Sequence, residues 1–176
     1  MRPSHPVSTV LADGIVVVER IPVDELAAEA PPRIDPDDVC GSVPAGARAE
    51  LGFGEPNDEW STFCQWTDAD HPFVNIGYDE ASLPAQVRTH VADASRRSGE
   101  PLRHLLWLRI DGRYAVERIL AVDPLQSCTV IADYGSEQTL LVTVYSHRQT
   151  PAEAAIGRLC PVSRRAAQAV LRHLRG

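Results

Sequence analysis

The chain has 176 residues, of which 44% are hydrophobic, and a formal net charge of −7 at pH 7. This length fits one domain with a single core. The acidic balance argues against a surface that follows nucleic-acid phosphates, because such surfaces need clustered cations. No apolar run reaches membrane-spanning length and the first residues lack a signal-peptide core, so we expect a soluble chain.

The first 33 residues form a segment distinct from the rest. Apolar residues flank Asp13-Gly14, a pair that suits a tight turn, and this pattern predicts a hairpin or an added edge strand. Prolines at positions 31, 32 and 36 then favour an extended linker. We expect residues 1–33 to be an N-terminal arm and residues 34–176 to form a single globular domain. The arm could also add its strand to a second copy and so form a homodimer.

The first elements of the domain are short. Helical turns are expected between Asp37 and Leu51, and strands at T-F-C-Q-W and F-V-N-I-G-Y, paired antiparallel through a tight connection. Ser82 and Pro84 then mark the start of a helix that ends before Gly99.

The second half of the domain predicts two hairpins and two helices. Four strands, H-L-L-W-L-R-I, Y-A-V-E-R-I-L, C-T-V-I-A-D-Y and T-L-L-V-T-V-Y, are joined in pairs by Asp111-Gly112 and Gly135-Ser136. Thr150 and Glu153 fit a capping box, and Pro161 should end that helix and start another that runs to Leu174. Because strands are grouped between helices, we predict an α+β fold with a mostly antiparallel sheet of about five to six strands packed against two or three helices.

The four cysteines, Cys40, Cys64, Cys128 and Cys160, allow three disulfide pairings. Their wide spacing disfavours zinc, and no nucleophile motif surrounds any of them. We therefore expect two disulfides rather than free thiols, which predicts an extracytoplasmic location, or a cytoplasmic one if the cysteines are free. Pairing of near neighbours would join Cys40 to Cys64 and Cys128 to Cys160.

No hydrolase, nucleotide-binding or metalloprotease motif occurs, so the sequence identifies no catalytic residue, cofactor or metal site. Aromatic residues on the strands are the better candidates for a binding site, although Trp66 and Trp107 could equally fill the core. Alternation places Trp107 and Arg109 on the less apolar face of their strand. The candidate ligand-binding residues are Trp107, Arg109, Arg113, Trp60 and Tyr145.

Several motifs recur together between Ile34 and Leu174. They are D-P-D-D-V-C, L-G, C-Q-W, I-D-G-R-Y-A-V, S-C-T-V-I-A-D-Y-G, T-L-L-V-T-V and L-C-P-V-S-R-R-A-A-Q-A-V-L-R-H-L. In this order they resemble an actinobacterial secreted lipoprotein family known as domain of unknown function 3558. All 17 basic residues are arginine, which fits a GC-rich actinobacterial source. The resemblance implies a protein outside the cytoplasmic membrane and a curved antiparallel sheet backed by helices, but this sequence lacks the family's signal and lipid-attachment cysteine.

Two functions remain open. The first is an extracytoplasmic, lipoprotein-like domain that binds a small apolar ligand or a protein partner, without catalysis or a cofactor. It would contact a membrane only if a removed signal carried a lipid anchor. The alternative is a small motif-less enzyme, of the cyclase or isomerase type, from actinobacterial secondary metabolism, which encloses an apolar substrate in an aromatic pocket.

Overall fold

A computed structural model of the chain describes residues 9–11, 13–19, 26, 34–59, 62–67, 73–89, 104–122, 125–135, 137–147 and 151–174. Its strands are β1 (Thr9–Val10), β2 (Val16–Val18), β3 (Asp58–Glu59), β4 (Phe63–Trp66), β5 (Phe73–Asp79), β6 (Leu105–Ile110), β7 (Arg113–Val122), β8 (Leu125–Gly135) and β9 (Gln138–Ser146). Its helices are α1 (Val39–Ser42), α2 (Ala45–Leu51), α3, described over 83–89, and α4 (Ala152–His173).

All nine strands form one antiparallel sheet in the order β1-β2-β6-β7-β8-β9-β5-β4-β3. The prediction of five to six strands against two or three helices is therefore wrong, because the described residues contain nine strands and four helices. The strands at both edges of the sheet, β1, β2 and β3, have only two or three residues each. Elements of that length are too short to show an alternating pattern in the sequence.

The predicted hairpins are confirmed. Asp111 and Gly112 join β6 to β7 with φ angles of 48° and 80°, which suits the tight turn that connects twisted antiparallel strands. Gly135, with φ at 115°, ends β8 where it turns back into β9. The antiparallel pairing of β4 with β5 is also confirmed, whereas Ser136 lies outside the described residues.

The hydrophobic core lies between α4 and one face of the sheet, which we call the helix face. Helix α4 packs mainly over β8 and β9, and α2 packs against α4. Burial of a leucine or isoleucine side chain contributes about 1.5 to 3 kcal/mol, so this layer dominates the stability. Its fully buried members include Ile76, Leu108, Val130, Val142, Leu159 and Val170.

The opposite face, which we call the second face, carries a smaller apolar cluster. Leu83 and Val87 of α3 pack there against Val116, Ile131 and other residues of β6 to β8. Farther along, most second-face side chains of β4, β5 and β9 are half-buried, namely Phe63, Gln65, Phe73, Asn75, Leu141, Thr143 and Tyr145. The two faces of the sheet are therefore unequal, and the larger core lies under α4.

Helix α4 runs from Ala152 to His173 with Pro161 inside it, so the prediction of two helices separated at this proline is wrong. Proline removes one helical hydrogen bond, yet the buried residues on both sides of it hold one continuous element against the sheet. The helix is preceded by Pro151, which provides no side-chain cap. Thr150 of the expected capping box lies outside the described residues.

Both disulfides of the near-neighbour pairing are present. Cys40 in α1 is bonded to Cys64 in β4, and Cys128 in β8 is bonded to Cys160 in α4, with Cα atoms 5.1 and 5.2 Å apart. No free cysteine remains. Because such bonds persist where thiols are not kept reduced, they indicate an oxidising, extracytoplasmic environment. Among the described helices, none has the length and apolar character needed to cross a membrane.

The N-terminal hairpin belongs to the same sheet. β1 pairs with β2 around a turn in which Gly14 has φ at 78°, and β2 pairs in turn with β6. Ile15, next to the turn, is 1% exposed in the main core. A homodimer formed through the arm stays a prediction, and β1 is the strand at this edge of the sheet.

Candidate functional site

A pocket of about 200 Å³ lies between α4, strands β4 and β5, and the loop that follows α2. We call it the tryptophan pocket. Its wall is aromatic and aliphatic, and two charged residues complete the lining. The residues that define it are Phe53, Glu55, Trp66, Val74, Val162 and Arg165.

Trp66 is held in the pocket by its strand and by its neighbours. The alternation of β4 places Cys64 and Trp66 on the helix face, where Cys64 is fixed to α1 by its disulfide. The ring of Phe53 stacks on the indole with centroids 5.0 Å apart and planes 9° apart. The indole Nε1 donates a hydrogen bond to the carbonyl of Gly54 at 3.2 Å. The ring is therefore restrained before any ligand arrives.

The loop that carries Phe53 is itself fixed. Gly52 ends α2 in the left-handed region, with φ at 72°, and this reverses the chain so that Phe53 follows directly. Asn57 then ties the loop to β4 twice. Its backbone N–H donates to the carbonyl of Gln65 at 2.8 Å, and its side-chain Nδ2 donates to the carbonyl of Thr67 at 3.1 Å. The loop and β4, which both contribute to the wall of the pocket, are therefore held together in the absence of a ligand.

A second region of interest lies on the second face, where polar residues of adjacent strands form a row. Gln65 Nε2 donates to Asn75 Oδ1 at 3.0 Å and also to the Tyr145 hydroxyl. The hydroxyls of Thr129 and Thr143 lie 3.0 Å apart in the same row. A cleft of about 420 Å³ lies beside it. Because these polar groups bind one another across strands, they stabilise the sheet, and we regard the row as structural.

The predicted site residues of β6 and β7 do not converge. Trp107 lies on the second face, half-buried beside the Leu83 cluster. Arg109 is exposed, and its guanidinium lies 5.7 Å from the centroid of the Tyr114 ring. Arg113 is buried on the helix face instead, since it pairs in register with the core residue Ile110. The two arginines therefore point to opposite sides of the sheet, and a role for them in binding stays a prediction.

The other two predicted residues are also separate. Tyr145 lies on β9, three strands from Trp107, which corresponds to about 14 Å at the usual strand spacing. Its ring stacks on Phe73 with centroids 5.1 Å apart and meets His147 edge-on. Trp60 lies outside the described residues.

A buried ionic cluster on the helix face is a candidate feature that no sequence motif indicates. Glu117, on the helix face of β7, is fully buried. His104 Nε2 lies 2.7 Å from one of its carboxylate oxygens, and Arg164 Nε lies 3.4 Å from the other. Arg164 Nε also lies 3.5 Å from Asp13 Oδ2 in the N-terminal turn. The signal in the sequence was an acidic residue at an inward position between Ala115 and Ile119.

This cluster has the residue types of a metal site but not a complete set of ligands. Atoms of His104, Glu117 and Cys160 that could ligate a metal lie within 4.8 Å of one another. Cys160 is bonded to Cys128, however, and a disulfide sulfur is not the thiolate that metals bind. With Arg164 beside the carboxylate, the arrangement is an ion-pair network that links β7 to α4.

Two tyrosines pack together on the helix face, where Tyr134 is buried and Tyr78 is half-buried. The rings of Tyr78 and Tyr134 have centroids 4.9 Å apart, and the Tyr78 hydroxyl donates to the carbonyl of Ser42 at 3.1 Å. Burial raises the pKa of Tyr134 to about 12. Burial, followed by the charge of a nearby ionised Tyr134, raises the pKa of Tyr78 well above its ordinary value. Both phenols are therefore neutral at physiological pH.

The family assignment rests on the extent of one match. The family described as proteins of unknown function, DUF3558, matches residues 19–173. The chain belongs to the DUF3558 family. The resemblance of the motifs to this family is thereby confirmed. In this DUF3558 protein the matched residues include the whole tryptophan pocket and begin just after β2. No curated protein and no solved structure matches the chain.

Proposed function

We propose that this DUF3558 protein is an extracytoplasmic binding domain that holds a small ligand in the tryptophan pocket without transforming it. The observation that carries the proposal is the restrained Trp66 ring, stacked on Phe53 and hydrogen-bonded to Gly54. A binding site that is rigid beforehand loses little conformational entropy when its ligand arrives. The pocket is smaller than the roughly 300 to 1,000 Å³ typical of drug-sized ligands, which favours a small one.

The chemistry of the pocket supports binding rather than catalysis. Among the described lining residues, the ionisable side chains are Glu55 and Arg165, and both are exposed. Covalent or acid–base catalysis usually needs a base within hydrogen-bond reach of a nucleophile or substrate proton, held in a shielded site. The motif-less enzyme of the cyclase or isomerase type stays a prediction that no contact of this pocket favours.

The location proposed for the domain is outside the cytoplasmic membrane. The two disulfides support it, and the resemblance to secreted lipoproteins adds a lipid anchor as part of the proposal. Thiol titration of denatured protein from its native host tests the compartment. We expect no titratable thiol before reduction and four afterwards, and four thiols before reduction would contradict the location.

Tryptophan fluorescence tests the pocket itself, because Trp66 reports on its own site. The probes are four small phenyl compounds, namely uncharged 2-phenylethanol, 3-phenylpropionate, phenethylamine and L-phenylalanine. We expect a saturable change in emission that survives Trp107→Phe and disappears in Trp66→Phe. Val162→Phe, which fills the pocket from α4, should abolish binding, and Val87→Phe on the second face is its control. If no probe gives a saturable change, the proposed function is wrong.

A further inference from the structure

Two opposite charges lie at the rim of the tryptophan pocket. Glu55 lies in the loop that carries Phe53, and Arg165 lies on α4, and both line the pocket. Both side chains are exposed. Within the described part of the chain, neither of them forms an ion pair, which leaves both groups available to a ligand.

The neighbouring charges of the same kind are already paired. Arg164, next to Arg165, lies against Glu117 and Asp13. Glu50, in α2, accepts hydrogen bonds from Arg172 at 2.8 Å and contacts His173 at 2.9 Å. Among the described residues, the two charges at the pocket rim therefore take no part in the ion pairs that join α2, α4 and the sheet.

We propose that the ligand of this pocket is a small zwitterion with an apolar body, that is, a molecule with the chemistry of an apolar α-amino acid. This inference rests on the proposed function. The guanidinium of Arg165 binds the ligand carboxylate and the carboxylate of Glu55 binds the ligand ammonium. The apolar body packs against the half-buried Phe53 and Val162 and reaches the small exposed part of Trp66, which is 3% exposed.

The charge pattern disfavours ligands with a single charge. A simple anion is attracted by Arg165 but repelled by Glu55. A simple cation is attracted by Glu55 but repelled by Arg165. Only a molecule with both charges uses both rim groups. Arginine suits the carboxylate because its planar guanidinium can donate two parallel hydrogen bonds to it. The rim is exposed, so each contact adds a modest share of the affinity and the apolar wall supplies the rest.

Four probes with one phenyl ring separate these contributions. They are L-phenylalanine, which has both charges, 3-phenylpropionate, which lacks the ammonium, phenethylamine, which lacks the carboxylate, and uncharged 2-phenylethanol. Binding is measured by tryptophan fluorescence at low salt on the full chain with both disulfides intact. We expect L-phenylalanine to bind about threefold to tenfold more tightly than either singly charged probe, as two exposed charge pairs allow.

Two substitutions test which rim residue binds the carboxylate of the ligand and which binds its ammonium group. Arg165→Gln should weaken the binding of L-phenylalanine and 3-phenylpropionate and should not weaken that of phenethylamine. Glu55→Gln should weaken the binding of L-phenylalanine and phenethylamine and spare 3-phenylpropionate. Arg172→Gln and Glu50→Gln are the matched controls, because these residues pair with each other outside the pocket, and they should leave the order of the four probes unchanged.

The outcomes distinguish this inference from the proposed function. Equal binding of all four probes, or tightest binding of a singly charged one, would overturn the zwitterion and leave the binding pocket standing. Failure of all four probes would overturn both. Affinities that respond to the control substitutions as strongly as to Arg165→Gln and Glu55→Gln would place the charge effect outside the pocket and also overturn the inference.

Discussion

Glu117 is a carboxylate in the centre of an apolar sheet, and its environment explains why it is tolerated there. An unpaired buried charge is costly, but this one lies between the His104 imidazole and the Arg164 guanidinium. His104 immediately precedes β6, the strand next to β7, and Arg164 lies on α4. The sequence shows an acidic residue at an inward position, but only the tertiary fold shows which cation is near it.

Removal of the Glu117 charge should destabilise the folded state. Glu117→Gln leaves the half-buried Arg164 with Asp13 as its remaining acidic contact, and we expect the free energy of unfolding to fall by up to about 3 kcal/mol. Glu50→Gln, which alters an exposed pair with Arg172, should cost less than about 1 kcal/mol. Urea unfolding of both variants measures the difference. Equal decreases in the free energy of unfolding of the two variants would show that the buried cluster contributes no more to stability than the exposed pair.

The buried tyrosines make a second prediction at the scale of single residues. An unfolded tyrosine releases its proton near pH 10, whereas Tyr134 in the folded chain keeps its proton up to about pH 12. The unfolded state therefore binds fewer protons in this interval, and the free energy of unfolding falls as the pH rises from about 10 to about 12. Below pH 10 this contribution is fully present.

Urea midpoints measured from pH 9 to pH 12 test this loss. Tyr134→Phe should make the decline shallower, and Tyr78 should supply part of what remains, because its pKa is also raised by burial. A decline of the same steepness in the variant would mean that other groups cause it.

At the scale of elements, the sequence predicts tight turns and long strands better than strands of two residues. Turn residues such as Asp111-Gly112 and the alternation of long strands were enough to predict the hairpins of β6 to β9. The Asp13-Gly14 pair also predicts the β1–β2 hairpin, whereas β3 is not predictable, because two residues carry no period and depend on a neighbouring strand for their hydrogen bonds. The helix break expected at Pro161 does not occur, because burial of α4 against the sheet outweighs a local helix-breaking signal.

Replacement of Pro161 should therefore increase the stability of α4. Pro161 is exposed inside α4, and Pro161→Ala would restore a helical hydrogen bond, so we expect stabilisation by about 1 to 2 kcal/mol. Pro151→Ala is the control, since a proline at the helix start costs little. Thermal or urea unfolding gives both values. Destabilisation by Pro161→Ala would instead show that the proline sets a bend on which the packing of α4 depends.

At the scale of the whole molecule, the candidate site shows the limit of reading from a sequence. The tryptophan pocket combines a loop after α2, two strands and the middle of α4, and no local pattern brings these segments together. The two disulfides were more accessible to prediction. Near-neighbour pairing was one of only three possibilities, and the structure confirms it.

The same disulfides link the helical layer to the sheet at two places. Loops of 24 and 32 residues predict similar losses of about 3.5 kcal/mol when either bond is removed, in the chain-entropy account. We expect this from the paired substitutions Cys40→Ala with Cys64→Ala, and Cys128→Ala with Cys160→Ala. Urea unfolding of each variant measures the cost. A loss below about 1 kcal/mol for either pair would contradict a stabilising role for that bond.

The order of strands also has a consequence for the rate at which this chain reaches its native state. The pairings from β6 through β9 connect neighbours in the sequence, whereas Val17 pairs with Leu108, about 90 positions away, and β5 pairs with the distant β9. Such closures lose chain entropy before they gain contacts, and they slow folding. We infer that the four-strand meander forms first and that β5 and the N-terminal hairpin join it later. Until they do, the flanks of β6 and β9 expose unpaired backbone, so the nascent sheet is most prone to aggregate at its two incomplete margins.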